Sequence, residues 1–344
     1  MNLTRYYTGK TERWANEPRQ DVAEVPLSSE DPKGYIPSNG LIKAANVALI
    51  LNRPLLITGE AGVGKSAFAD NLAGEMGWGK AIKFPVTSNT TANDLFFHYD
   101  QLQEFQDANR KDFQINSPFD RLRYLRWQAL GEAILYSNHY QNVQNLWPHG
   151  EPTFPGPRRS VVLIDEIDKA ERDVPNDILN QIEELSFHIP QLPDVSQKGH
   201  PGYRLTANRE FSPVVILTSN SEKNLPDAFL RRCIYFDLQL EVEKLPEIVA
   251  KRIEGIKSDS QLLKDALDFF KILRQSNNQL RKAPATAEFL NWLYYLREVG
   301  CGPNDRLKVT TMESVLTTSL ACLVKNKEDT SAANKLLIAW LKGG

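Results

Sequence analysis

At 344 residues the chain exceeds one typical core, so two domains are expected. Its 41 Lys and Arg stand against 43 Asp and Glu, a formal charge of −2 with no net sign to attract nucleic acid or an anionic membrane. Cys233, Cys301 and Cys322 are odd in number and far apart, which argues against a disulfide or metal framework and fits reduced, buried thiols in a cytoplasmic protein.

The opening "MNLTRYYTGKTERW" has no apolar core of a signal peptide, and no run approaches the roughly 18 apolar residues of a membrane span. Residues 1–33 are polar, with Pro18, Pro26 and Pro32, and read as an extended arm. An amphipathic helix follows in "YIPSNGLIKAANVALILNRP", with Leu41, Ala44, Ala45, Ala48 and Leu49 on one side and Ser38 or Asn39 as cap.

The stretch "LLITGEAGVGKSAF" joins a short buried strand, Leu55 to Thr58, to a helix opened by Lys65 and Ser66. Its order of strand, G-x-x-x-x-G-K-S and helix is a phosphate-binding loop. A chain of this length matches that pattern by chance about once in a hundred. The segment Gly59, Glu60, Ala61, Gly62, Val63, Gly64, Lys65, Ser66 and Ala67 is therefore the candidate nucleotide cradle, because backbone N–H groups and a helix N-terminus can surround an anion.

"AIKFPVT" reads as a second strand. Residues 95–160 show no strand alternation, and "RLRYLRWQALGEAIL" places Leu122, Leu125, Leu130 and Ile134 at helical spacing. "SVVLIDEIDKA" is a buried parallel strand that ends in two carboxylates, Asp165 and Glu166. Such a pair needs a cationic partner. A Mg²⁺ carried by ATP supplies one, with Ser66 and Asp165 as its ligands and Glu166 as the base that polarises the attacking water. A third strand, "SPVVILTSN", ends in Asn220, an uncharged donor for that water or a phosphate oxygen. Arg231 and Arg232 in "NLPDAFLRRCIYFDL" are either dipole partners at a helix end or an arginine finger for a neighbouring subunit. From Leu240 onward the chain is a succession of amphipathic helices without strand signal.

Taken together and in order, these stretches resemble an AAA+ ATPase, and "LIKAANVALILNRPLLITGEAGVGKS" resembles the MoxR family in particular. The resemblance implies an α/β fold: a P-loop parallel-sheet core over 34–239, followed by an all-α lid over 240–344. It implies the helix-2-insert clade, with inserts at about 95–125 and 186–212. It implies that Lys65 contacts the β- and γ-phosphates, that Asn220 is sensor 1, and that Arg232, with Arg231 beside it, is the finger. The family places its second sensor just after a proline, where "RKAPATAEF" has Ala285. Arg281 and Lys282 before the proline are the nearest substitutes, and Arg281 is taken as nucleotide-binding. A homo-oligomeric ring, usually a hexamer, is implied, with ATP between core and lid. The resemblance also implies a protein client, with a von Willebrand factor A (vWA) domain protein as partner class. An ATP-driven assembly switch and a nucleic-acid motor are the alternatives; intact Asp165–Glu166 speaks against the first and near-neutral charge against the second.

Overall fold

The computed structural model describes residues 34–110, 118–147, 153–193, 202–220, 225–275 and 280–343. The expected arm over 1–33 lies outside them, as do 111–117 and 194–201 of the two expected inserts. Contacts divide the chain into two compact units. One is Pro37–Glu60 with Lys65–Leu238; the other runs from Gln239 to the C-terminus and includes 34–36 and the turn Ala61–Gly64.

The first unit opens with helix α1 (Asn39–Leu51), where the Ser38 hydroxyl accepts the Leu41 N–H at 3.1 Å. Asn52 ends the helix in the left-handed region, φ 50°. There follow β1 (Leu55–Thr58), α2 (Lys65–Glu75), β2 (Ile82–Pro85), β3 (Phe97–Tyr99), α3 (Gln101–Ala108), β4 (Leu125–Trp127), α4 (Ala129–Ser137) and α5 (Tyr140–Val143). Then come β5 (Val161–Asp165), α6 (Val174–Asp177), α7 (Leu179–Glu184), β6 (Ser186–Ile189), β7 (Tyr203–Thr206), β8 (Val214–Ser219), α8 (Asp227–Leu230) and β9 (Ile234–Asp237).

Five strands form one sheet in the order β2-β5-β8-β1-β9, every neighbouring pair parallel. Position explains composition. The inner strands β1 and β8 are buried at every residue and β5 at all but Asp165, so they read as unbroken apolar runs. The edge strands β2 and β9 alternate between half-buried and exposed residues.

The long aromatic segment differs from its sequence reading. Residues Leu125 to Trp127 form a strand rather than continuing a helix, and pair antiparallel with Phe97–Tyr99. Strands of three residues are too short to show alternation. The helix begins only at Ala129, after the Gln128 N–H donates to the Phe96 carbonyl at 2.9 Å. Residues 186–206 form the antiparallel pair β6–β7, whose Phe187 ring stacks on Phe96 at 4.7 Å between centroids.

The second unit holds only helices among its described residues: α9 (Leu245–Arg252), α10 (Gln261–Leu273), α11 (Thr286–Glu298), α12 (Glu313–Leu323) and α13 (Lys327–Lys342), with short 3₁₀ turns. Phe269, Phe270, Phe289 and Trp292 are fully buried at its centre. The Trp292 indole N–H donates to Ser319 Oγ at 2.7 Å, the kind of partner a buried indole requires. Within this unit the Ala287 N–H donates to the Gly62 carbonyl at 3.1 Å. Among the described residues no helix is long and apolar enough to cross a membrane.

Gly131 of α4 lies directly against the backbone of Phe96, just before β3, since a Cβ there would lie 1.9 Å from the Phe96 carbonyl oxygen. Only backbone movement could relieve that overlap. Gly131→Ala is expected to lower stability by about 2 kcal/mol or more, seen as a reduced denaturation midpoint at unchanged slope. An unaltered midpoint would mean the packing is looser than described.

Candidate functional site

The sheet order sets the site. β8 lies between β1 and β5, so the carboxyl ends of three buried strands stand side by side, the edge at which open α/β sheets bind ligands. After Thr58 the chain turns at Gly59 with φ 142°, and a Cβ there would lie 2.3 Å from the Leu238 carbonyl oxygen. Gly62 and Gly64 also have positive φ, 81° and 106°. A side chain at these three positions would be strained. Lys65, Ser66 and Ala67 then open α2, whose first N–H groups have no partner inside the helix.

Lys65 is 6% exposed. Its ammonium donates to the carbonyls of Gly59 at 2.8 Å and Glu60 at 2.9 Å, and to Asn220 Oδ1 at 2.7 Å. Burial holds its pKa below the ordinary lysine value, against the opposing pull of Asp165, Asp168, Glu166 and Asp237. The Ser66 hydroxyl donates to Asp165 Oδ1 at 2.8 Å. Thr218 donates to the same oxygen at 2.5 Å and accepts the Glu166 N–H at 2.8 Å.

Glu166 sits in the left-handed region, φ 60° and ψ 52°, an uncommon conformation for a side-chain-bearing residue and one that clusters at functional sites. Asn220 Nδ2 donates to its Oε1 at 2.7 Å, and Lys169 forms an ion pair with Oε2. The Lys169 ammonium, and with it the Asn220 amide and Lys65, hold the Glu166 carboxyl below the usual range despite its partial burial. The Asn220 N–H reaches Asp168 Oδ1 at 3.3 Å, and Asp168 is 3% exposed. Lys65, Ser66, Asp165, Glu166 and Asn220, predicted from separate motifs, therefore belong to one hydrogen-bonded set.

Sequence reasoning gave no role to Thr218, Lys169 or Asp168. A hydroxyl at the end of an otherwise apolar buried strand was the available signal for Thr218. For Lys169 it was the three-residue offset from Glu166.

The arginines lie elsewhere. Ile234 pairs in register with Leu55 and Asp237 with Thr58, so Arg231 and Arg232 precede the amino end of β9, at the opposite edge of the sheet from the glycine loop. Arg232 Nε pairs with Glu183 at 3.0 Å, while Arg231 is exposed. Arg281 belongs to the helical unit. There its guanidinium pairs with Glu328 at 2.7 Å and its N–H donates to Asp329 Oδ1 at 2.8 Å.

The donor set suits magnesium. Ser66 Oγ and Asp165 Oδ1 are hard oxygens that converge beside a buried lysine, and Mg²⁺ is held by one or two carboxylates together with substrate phosphates and water. Among the described residues no three His, Cys, Asp or Glu side chains are grouped to hold a metal by themselves.

A family described as AAA domain (dynein-related subfamily) matches residues 54–233. No curated protein matches the chain. Among solved structures, NtrX from Brucella abortus is 14% identical over 81% of this chain and 55% of its own, TM-score 0.45. The chain thus spans about half the length of that protein. A Thermotoga maritima RuvB mutant is 15% identical over 85% of this chain and 72% of its own, TM-score 0.42. An S. cerevisiae Hsp104–ADP complex is 18% identical over 69% and 41%, TM-score 0.39.

Thr218→Val removes the acceptor of the half-buried Glu166 N–H and a donor to Asp165. It is expected to cost about 1–3 kcal/mol of stability, while Thr218→Ser retains most of it. Equal denaturation midpoints for Thr218→Val and the wild type would show that the hydroxyl is dispensable.

Proposed function

The chain belongs to the AAA domain family, dynein-related subfamily, and on that premise we propose that it hydrolyses ATP to ADP and phosphate within a ring of identical subunits. One observation carries the reading. The loop lysine and the strand-end glutamate share Asn220, while Ser66 and Asp165 share a hydrogen bond beside them.

The residues divide the work as follows. The backbone of Gly59 to Ser66 binds the phosphates, and Lys65 gives up its carbonyl contacts to meet the β- and γ-oxygens. Ser66 and Asp165 would hold Mg²⁺, which would supply charge neutralisation on the phosphate oxygens. Asn220 orients the attacking water, and Glu166 takes its proton as the water oxygen bonds to the γ-phosphorus and the bond to the leaving ADP oxygen breaks. The resemblance extends the nucleotide-binding set to Arg281.

Arg231 and Arg232 act in trans. Three residue steps of β9 take the chain from Ile234 to Asp237, about 10 Å along the strand, and both arginines precede it. Neither reaches the phosphates of its own chain. That placement supports a role at the phosphates of a neighbour, with an oligomer as the working unit. The MoxR resemblance extends the proposal to remodelling of a partner protein, with a vWA-domain protein as the partner class.

Steady-state phosphate release tests this. Glu166→Gln should slow turnover about 10²- to 10⁴-fold while ATP still binds. Arg232→Ala, alone or with Arg231→Ala, should cost on the order of a thousandfold. Turnover per chain should rise steeply with protein concentration. A fully active monomer, or an Arg231→Ala/Arg232→Ala protein at wild-type rate, would end the proposal.

A further inference from the structure

Helix α1 buries Leu41, Ala45 and Ala48 against its own unit. Its outward half carries exposed apolar side chains as well, with Ile42 42% exposed, Val47 42%, Ile50 81% and Leu51 55%, among the exposed polar residues Asn39, Lys43 and Asn46. At about 100° per residue these four side chains fall within one half of the helix. Val47, Ile50 and Leu51 adjoin at spacings of three and four residues, and this exposed apolar end of α1 marks an interaction surface.

The position of this face identifies its occupant. Leu51 is followed at once by Asn52, Arg53 and Pro54, and the Pro54 carbonyl accepts the Ile234 N–H at 2.8 Å. Asn52, Arg53, Ile182, Glu183 and Arg232 line one small cavity, so the carboxyl end of α1 and the Arg231–Arg232 turn share a single corner of the unit. That corner carries Arg53, Arg231 and Arg232 against one acid, Glu183, which pairs with Arg232 at 3.0 Å, and Ile50 and Leu51 end the helix that leads into it. The phosphate edge of the same unit carries Asp165, Glu166 and Asp168 against Lys65 and Lys169, so acids outnumber cations there. The two edges are complementary in charge and cannot meet within one chain.

We infer that the outward face of α1 is a docking face for a second copy of this chain, anchored by Ile50 and Leu51, and that it seats the Arg231–Arg232 turn at the second copy's phosphate edge. The inference rests on the trans-acting arginines proposed above and adds the surface that delivers them. The contact is heterologous, one edge against a different edge, and such contacts close into rings or run on as filaments. Burial of the two side chains supplies attraction, and the arginines fix the register.

Sedimentation in the presence of Mg²⁺ and ATP tests the docking face apart from hydrolysis. With Glu166→Gln in the background to prevent turnover, adding Ile50→Glu/Leu51→Glu should shift the protein from assembled to single chains, with helix content and ATP binding unchanged. Ile50→Ser/Leu51→Ser, which adds no charge, should weaken assembly in the same direction and serves if the double-Glu protein does not fold. Mixing provides a second arm. Ile50→Glu/Leu51→Glu keeps an intact phosphate edge, so it should regain hydrolysis with the Glu166→Gln protein, whose docking face and arginines are intact. It should stay inactive with Arg231→Ala/Arg232→Ala. Assembly unaffected by either double substitution would overturn the inference, including the case in which residues 1–33 or a different protein cover the face. If turnover of the wild type depends on concentration in that case, the trans-arginine reading survives and only the docking face falls.

Discussion

A buried ammonium imposes the central constraint. Lys65 is taken out of water at the end of the loop, and its charge must be met by oxygen atoms held in place before any ligand arrives. Two of those oxygens are carbonyls of the loop and the third is the side chain of Asn220, from a different strand. That third contact makes the placement of β8 beside β1 a chemical requirement. It ties the glycine loop to the strand-end acids, because Asn220 also donates to Glu166.

The acids are arranged with the same economy. Thr218 holds the Asp165 side chain and the Glu166 backbone N–H, so one buried hydroxyl fixes the relative placement of the two strand-end acids. The left-handed backbone at Glu166 aims its carboxylate at Asn220 and Lys169 rather than back along the strand. Preorganisation of this kind is what the proposed phosphoryl transfer would require, since positioning and charge neutralisation do nearly all the work in such reactions.

Much of this was legible in the sequence, for physical reasons that differ by element. β1, β5 and β8 read as unbroken apolar runs because parallel strands are covered on both faces, and the polar residues at their ends were therefore conspicuous. Gly59 and Lys65 announced themselves through the motif, and the amphipathic helices after Leu240 through their period. The β3–β4 pair was not legible, because three-residue strands carry no period and the leucines around them mimic a helix. Thr218 was hidden because its role depends on β8 lying next to β5, a fact of topology that no local pattern encodes. The same holds for Arg231 and Arg232: their cations were plain, but only the register of β9 against β1 shows that they stand at the far edge of the sheet. The outward apolar half of α1 was also unreadable, since periodicity marked its buried stripe and could not show what the other half lacks.

The account turns on whether Ser66 and Asp165 complete a site for metal-bound triphosphate next to Lys65. Equilibrium titration of ATP, with and without Mg²⁺, into the wild type and into Asp165→Asn asks this directly. Wild-type protein should bind ATP much more tightly with Mg²⁺ than without it, and Asp165→Asn should lose most of that difference while remaining folded. An Asp165→Asn protein with the full Mg²⁺ dependence of the wild type would contradict the account at its centre.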